Sequence, residues 1–150
     1  MAKFSEAIIS IRPNFAEAIL SGGKTVELRR RVPPIGVGTR LWIYATKPTG
    51  AVVGSAIVKK IVRGLPDHVW EKCGDQAGVD RETFDIYFAG AELAIGLVLT
   101  DVRRGRPVSI EKLRSIRTGF HPPQVLARIS DEEAISLDQL SMVARRKIGG

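Results

Sequence analysis

The alternation of apolar and polar positions predicts short strands separated by short helices. Ala7-Ile8-Ile9-Ser10-Ile11 is a β-branched apolar run, and Pro13 behind it suits the first turn of a helix continued by Asn14 to Leu20. Ser21-Gly22-Gly23 closes that helix, because glycine adopts the left-handed conformation at little cost. Lys24-Thr25-Val26-Glu27-Leu28-Arg29 then alternates strictly. That pattern predicts a strand with Val26 and Leu28 on one face and Thr25, Glu27 and Arg29 on the other. Lys24 shares the phase of Val26, but at the start of the strand its long stem can curl to a rim.

Further along, Val32 to Gly38 is a loop by its prolines and glycines, and Leu41-Trp42-Ile43-Tyr44-Ala45 is a strand. Ala51 to Val62 is a longer strand in which Gly54 marks a bulge or a close backbone approach. Two short helices are expected at Pro66 to Cys73 and Asp80 to Phe88, the second capped by Asp80. Ala91 to Val102 is expected as a buried strand, Ser109 to Leu113 as a short capped helix, and Phe120-His121-Pro122-Pro123-Gln124 as a rigid turn leading into another helix. No repeat, low-complexity block or linker interrupts the chain. The expectation is one α+β domain over residues 1–150, a small mixed barrel flanked by short helices, with 141–150 a flexible basic tail.

Composition narrows the picture. In 150 residues, 44% are apolar and 26% charged, which suits a globule rather than a disordered chain. The single Cys73 cannot form an internal disulfide, which fits a reducing, cytoplasmic setting. His68 and His121 offer no metal-ligand spacing, so neither a metal nor another cofactor is expected. No stretch approaches the roughly 20 apolar residues of a membrane helix. The net charge of +7 favours polyanionic partners. Six basic residues and one acid lie between Lys24 and Lys47, whereas Asp67 to Glu92 holds seven acids against Lys72 and Arg81, so the two stretches are expected to present faces of opposite sign.

The chemistry concentrates around Glu27. A carboxylate beside the guanidinium of Arg29 offers an acceptor and several donors in fixed geometry, enough to read the edge of a base, while Lys24 supplies a positive charge for a phosphate or a polarised carbonyl. The bland alternative is a weak surface ion pair. Arg29, Arg30, Arg31, Arg40 and Lys47 are candidates to neutralise phosphates, and Trp42, Tyr44, Trp70 and Phe120 to stack bases, although core packing is the ordinary fate of both tryptophans. Tyr44 leads into Thr46-Lys47-Pro48, where a strand end puts polar groups at a cleft mouth. A structural role is the default for His121, His68 and Cys73.

Read from Gly22, the segment has the form G-x-K-x-x-E-x-R. This motif, with Ile8 to Pro13, Leu41 to Thr46, Val53-Gly54, and Phe120 with Pro122-Pro123-Gln124, resembles the ASCH domain family over residues 7–126. The resemblance implies a PUA-like β-barrel. It also implies one of three activities. The first is a module binding RNA, single-stranded nucleic acid or a nucleotide-like small molecule through Lys24, Glu27, Arg29 and the basic loop. The second is a hydrolase with Lys24 and Glu27 catalytic, either a ribonuclease or an amidohydrolase of acetylated cytidine. For the latter, Glu27 stands where the family's enzymes carry a threonine nucleophile. The third is a protein-interaction or coregulator module docking through the acidic stretch.

Overall fold

The computed structural model describes residues 6–142. Residues 143–150, most of the expected basic tail, lie outside them. Six strands form one sheet: β1 (Glu6–Ile11), β2 (Val26–Arg29), β3 (Arg40–Ala45), β4 (Ala51–Gly64), β5 (Ala94–Ser109) and β6 (Leu126–Arg128). Their spatial order is β2-β5-β4-β3-β1-β6. Only β1 and β3 run parallel; the other neighbours are antiparallel. Five short helices flank the sheet: α1 (Pro13–Ser21), α2 (Pro66–Cys73), α3 (Arg81–Tyr87), α4 (Ile110–Ile116) and α5 (Asp131–Ser141).

The sheet is a half-barrel, with β2 and β6 as its edges. Its curl comes from the two long central strands. The β4–β5 register shifts between Val52 and Gly54, between Ser55 and Ile57, and between Val58 and Lys60, and each shift adds bend and twist. Gly54 makes the close approach expected of it: a Cβ there would overlap the Arg103 carbonyl oxygen and come within 2.7 Å of Leu20 Cδ2. The bulged pairing also explains why β5 runs on to Ser109, past the expected end at Val102. Arg103 and Arg104 are polar on paper, but β4 supplies them with ladder partners.

Three apolar clusters fill the fold. Leu41, Ile43 and Ala45 of β3 pack with Ile9, Ile19 and Leu97 beneath α1. Their neighbours Trp42 and Tyr44 point the other way, into a cluster with Leu113 of α4 and Leu137 of α5. Val26, Leu28 and Val62 pack with Val69 of α2 and Phe84 of α3. The turn after Phe120 leads first into β6 and only then into α5, whose start is a reciprocal cap between Ser130 and Glu133. A three-residue strand leaves no periodic trace, and β6 exists only because β1 offers it an edge.

Candidate functional site

The strict alternation of β2 turns Val26 and Leu28 toward α2 and α3 and leaves Glu27 and Arg29 on the opposite face. That face forms the floor of a cleft of about 610 Å³. Arg12 and Phe15 at the start of α1 form one side of the cleft. Val79, Thr83, Phe84, Ile86 and Tyr87, on and just before α3, form another. Ser10, Thr46 and the Pro122-Pro123-Gln124 turn complete it. The turn is tied down by Ser10 Oγ, which donates to the Pro123 carbonyl at 2.6 Å. The Asp67 to Glu92 stretch is therefore not remote from the basic one. Its helix α3 faces the cleft with Thr83, Ile86 and Tyr87, while Asp67 and Asp85 point away and hold Arg81.

Lys24 does not sit at the rim. It is 2% exposed, and its Nζ donates to the Ala77 carbonyl at 2.5 Å, lies 3.8 Å from Glu27 Oε1 and stands 4.9 Å from the centre of the Phe15 ring. The loop between α2 and α3 presses on its stem: a Cβ on Gly78, whose φ is +73°, would meet Lys24 Cβ at 3.1 Å. Burial pushes the Lys24 ammonium down from its ordinary pKa, the Glu27 carboxylate opposes this, and Arg29 adds to the depression. Glu27 is 6% exposed. Its Oε2 accepts from Nε of Arg29 at 2.9 Å and pairs with a terminal guanidinium nitrogen at 2.8 Å. Arg29 also donates to the Ser10 carbonyl at 2.5 Å. The three residues thus form an ion-paired cluster that is largely buried and still lines an open cleft.

The other sequence candidates separate. Thr46 lines the cleft, and Lys47 beside it is exposed with no ion-pair partner among the described residues. Arg30 and Arg31 are exposed just past β2, and Arg30 donates to the carbonyls of Tyr87 and Ala89, fixing the end of α3. Tyr44 and Arg40 do not belong to the cleft. Tyr44 is 2% exposed inside the α4–α5 cluster, and that burial raises its phenol pKa. Arg40 lies over the ring of Trp42 at 4.2 Å and pairs with Asp138 of α5 at 3.0 Å. Trp42 and Phe120 are core residues of the same cluster and unavailable for stacking; Trp70 is half-buried against Phe84. His121 and His68 are exposed and do not line the cleft, and Cys73 is buried.

The aromatic walls are instead Phe15 and Tyr87, with Phe84 fully buried behind them, and among the described residues the cleft-lining cation without an ion-pair partner is Arg12; the sequence pattern marked none of these. The available signal was the helix-start proline after Arg12 and the amphipathic spacing of α3. Tyr87 reaches back across the edge of β2, its hydroxyl 3.4 Å from the Leu28 carbonyl, and burial raises its phenol pKa. Among the described residues no three His, Cys, Asp or Glu side chains gather to hold a metal, and no helix is long and apolar enough to cross a membrane.

Comparison with known proteins places this geometry. The ASCH domain pattern matches residues 9–105. An "ASCH domain-containing ribonuclease" of Zymomonas mobilis is 41% identical over 136 residues, which cover 91% of this chain and 92% of that protein. The crystal structure of ASCH from Zymomonas mobilis superposes with a TM-score of 0.88 at 39% identity, covering 95% of this chain and 99% of that one. The N-terminal domain of Staphylothermus marinus McrB, at 13% identity and a TM-score of 0.56 over 93% of this chain and 98% of that one, shares the fold alone. From the family pattern and the extent of the Zymomonas match, the chain belongs to the ASCH domain family.

Proposed function

We propose that the chain acts as a single cytoplasmic, PUA-like unit that binds RNA or a nucleotide-like ligand in the cleft above Lys24, Glu27 and Arg29. One observation carries this reading: a largely buried carboxylate and ammonium 3.8 Å apart lie on the floor of an open, aromatic-walled cleft. Arg12 lines the cleft and Lys47 follows the cleft-lining Thr46, and neither has an ion-pair partner among the described residues. Both suit phosphates, and the net charge of +7 steers polyanions toward the protein. The Zymomonas relative's name, a ribonuclease, supports an RNA-related role. Titration of single-stranded and duplex RNA over a salt series tests it. Binding that weakens with salt and is lost in Lys24→Met, with folding retained, is the expected result. Absence of binding at low salt refutes it.

A second reading is RNA cleavage. The same relative's name favours it, and so does the gap between Glu27 Oε1 and Lys24 Nζ, which one hydroxyl can bridge. Glu27 would take the proton of a ribose 2′-hydroxyl as its oxygen attacks phosphorus, giving a cyclic phosphate while the 5′-oxygen leaves as a hydroxyl with a proton from Lys24 or water. Cleavage of RNA but not DNA, abolished in Glu27→Gln, is the outcome this requires. Deacetylation of acetylated cytidine is not expected, because a carboxylate at the threonine position is a poor acyl acceptor and repels a developing oxyanion.

A further inference from the structure

We infer that the cleft is selective for a keto base, a heterocycle presenting an imino N–H beside a carbonyl oxygen, as uracil does. This rests on the nucleotide-binding reading above and names the ligand's chemistry at the cleft floor.

The inference follows from which polar atoms are already engaged. Glu27 Oε2 is held by Arg29, which orients the carboxylate. Arg29 is in turn anchored on the Ser10 carbonyl, so its guanidinium serves the protein and not a ligand. Glu27 Oε1 has no hydrogen-bond donor among the described residues, because Lys24 Nζ at 3.8 Å is too distant. Nor is that oxygen sealed in: among the described residues no buried side-chain oxygen or nitrogen lacks a hydrogen-bond partner. Lys24 Nζ has three protons and gives one to Ala77, and its cationic face lies against Phe15. The floor therefore presents one acceptor and one charged donor side by side, fixed in orientation before any ligand arrives.

A complementary ligand needs a donor beside an acceptor. The Watson–Crick edge of an unpaired base offers that, and single-stranded RNA exposes such edges. Among bases, the imide N–H of uracil is more acidic than the amino N–H of cytosine or adenine and makes the stronger bond to a carboxylate. A carbonyl oxygen, with two lone pairs, accepts from a lysine over a wider range of directions than a ring nitrogen with one. Both halves of the pair favour the keto edge. A ribose hydroxyl or water could bridge the same atoms, but Phe15, Ile86 and Tyr87 line the cleft with accessible apolar and aromatic surface that suits a flat base better than a sugar.

The test is the affinity of the full chain, by fluorescence anisotropy at fixed low salt, for short single-stranded oligomers of uridine, cytidine, N3-methyluridine and deoxyuridine. A good base-edge pair discriminates by about 1–3 kcal/mol, so uridine should bind roughly 5- to 150-fold tighter than cytidine or N3-methyluridine, with deoxyuridine close to uridine. Glu27→Gln should narrow the gap between uridine and N3-methyluridine; if that variant does not fold, the wild-type series decides alone. Equal binding of uridine and N3-methyluridine overturns this inference while leaving nucleotide binding intact. A loss confined to deoxyuridine does the same and assigns Oε1 to a ribose hydroxyl. No binding of any oligomer overturns both.

Discussion

Replacing Glu27 with glutamine isolates the electrostatics of the cleft floor, because the side chain keeps its shape and loses its charge. Lys24 and Arg29 would then face each other with no anion between them, at side-chain exposures of 3% and 12%. Removing one partner of a buried ion pair costs about 3–5 kcal/mol, and the open cleft puts this case near the lower end, about 3 kcal/mol. For a chain of this size each kcal/mol shifts the midpoint by about 2–4 °C, so the variant should melt about 6–12 °C lower. The deficit should also depend on pH. Burial lowers the folded-state pKa of Lys24 below its ordinary 10.5, and Glu27 partly restores it. Between the folded and unfolded values the unfolded chain binds more protons, so stability rises with pH through that window. Without Glu27 the folded value drops further, the window widens toward neutrality, and the gap to the wild type shrinks as pH rises. Denaturant unfolding of both proteins from neutral to alkaline pH measures this. A deficit below about 1 kcal/mol, or one independent of pH, refutes the buried-pair account.

Three further outcomes are expected. Arg12→Ala and Lys47→Ala should each reduce the slope of log affinity against log salt for RNA by about 1, whereas Arg40→Ala, held by Asp138 away from the cleft, should leave it unchanged; binding isotherms over a salt series decide. Gly78→Ala should cost about 1–2 kcal/mol in denaturant unfolding and weaken ligand binding, since φ is +73° and the new methyl would push on Lys24. Glu133, held down to about 2 by the Arg117 guanidinium, adds stability above its ordinary 4.5 that is lost as pH falls toward 2; Glu133→Gln should flatten that acid limb in pH-dependent melts.

Local pattern alone determined much of this protein. The apolar run at Ala7 to Ile11, the proline and glycine ends of α1, the alternation through Arg29 and the Asp80 cap each correspond to an observed element, because hydrophobic period, capping and glycine conformation act over a few residues. The shared face of Glu27 and Arg29 follows from strand geometry and is visible as their direct ion pair. The same pattern assigns a side chain to a face but does not say what covers that face. Only the tertiary structure decided that Lys24 lies beneath the Ala77–Gly78 loop, 53 residues away in sequence, and not at a rim. It also turned Tyr44 and Arg40 toward α4 and α5 and made Phe15 and Tyr87 the aromatic cleft walls. Those contacts join residues far apart in sequence, through a sheet whose strand order is set by which apolar faces can be buried together.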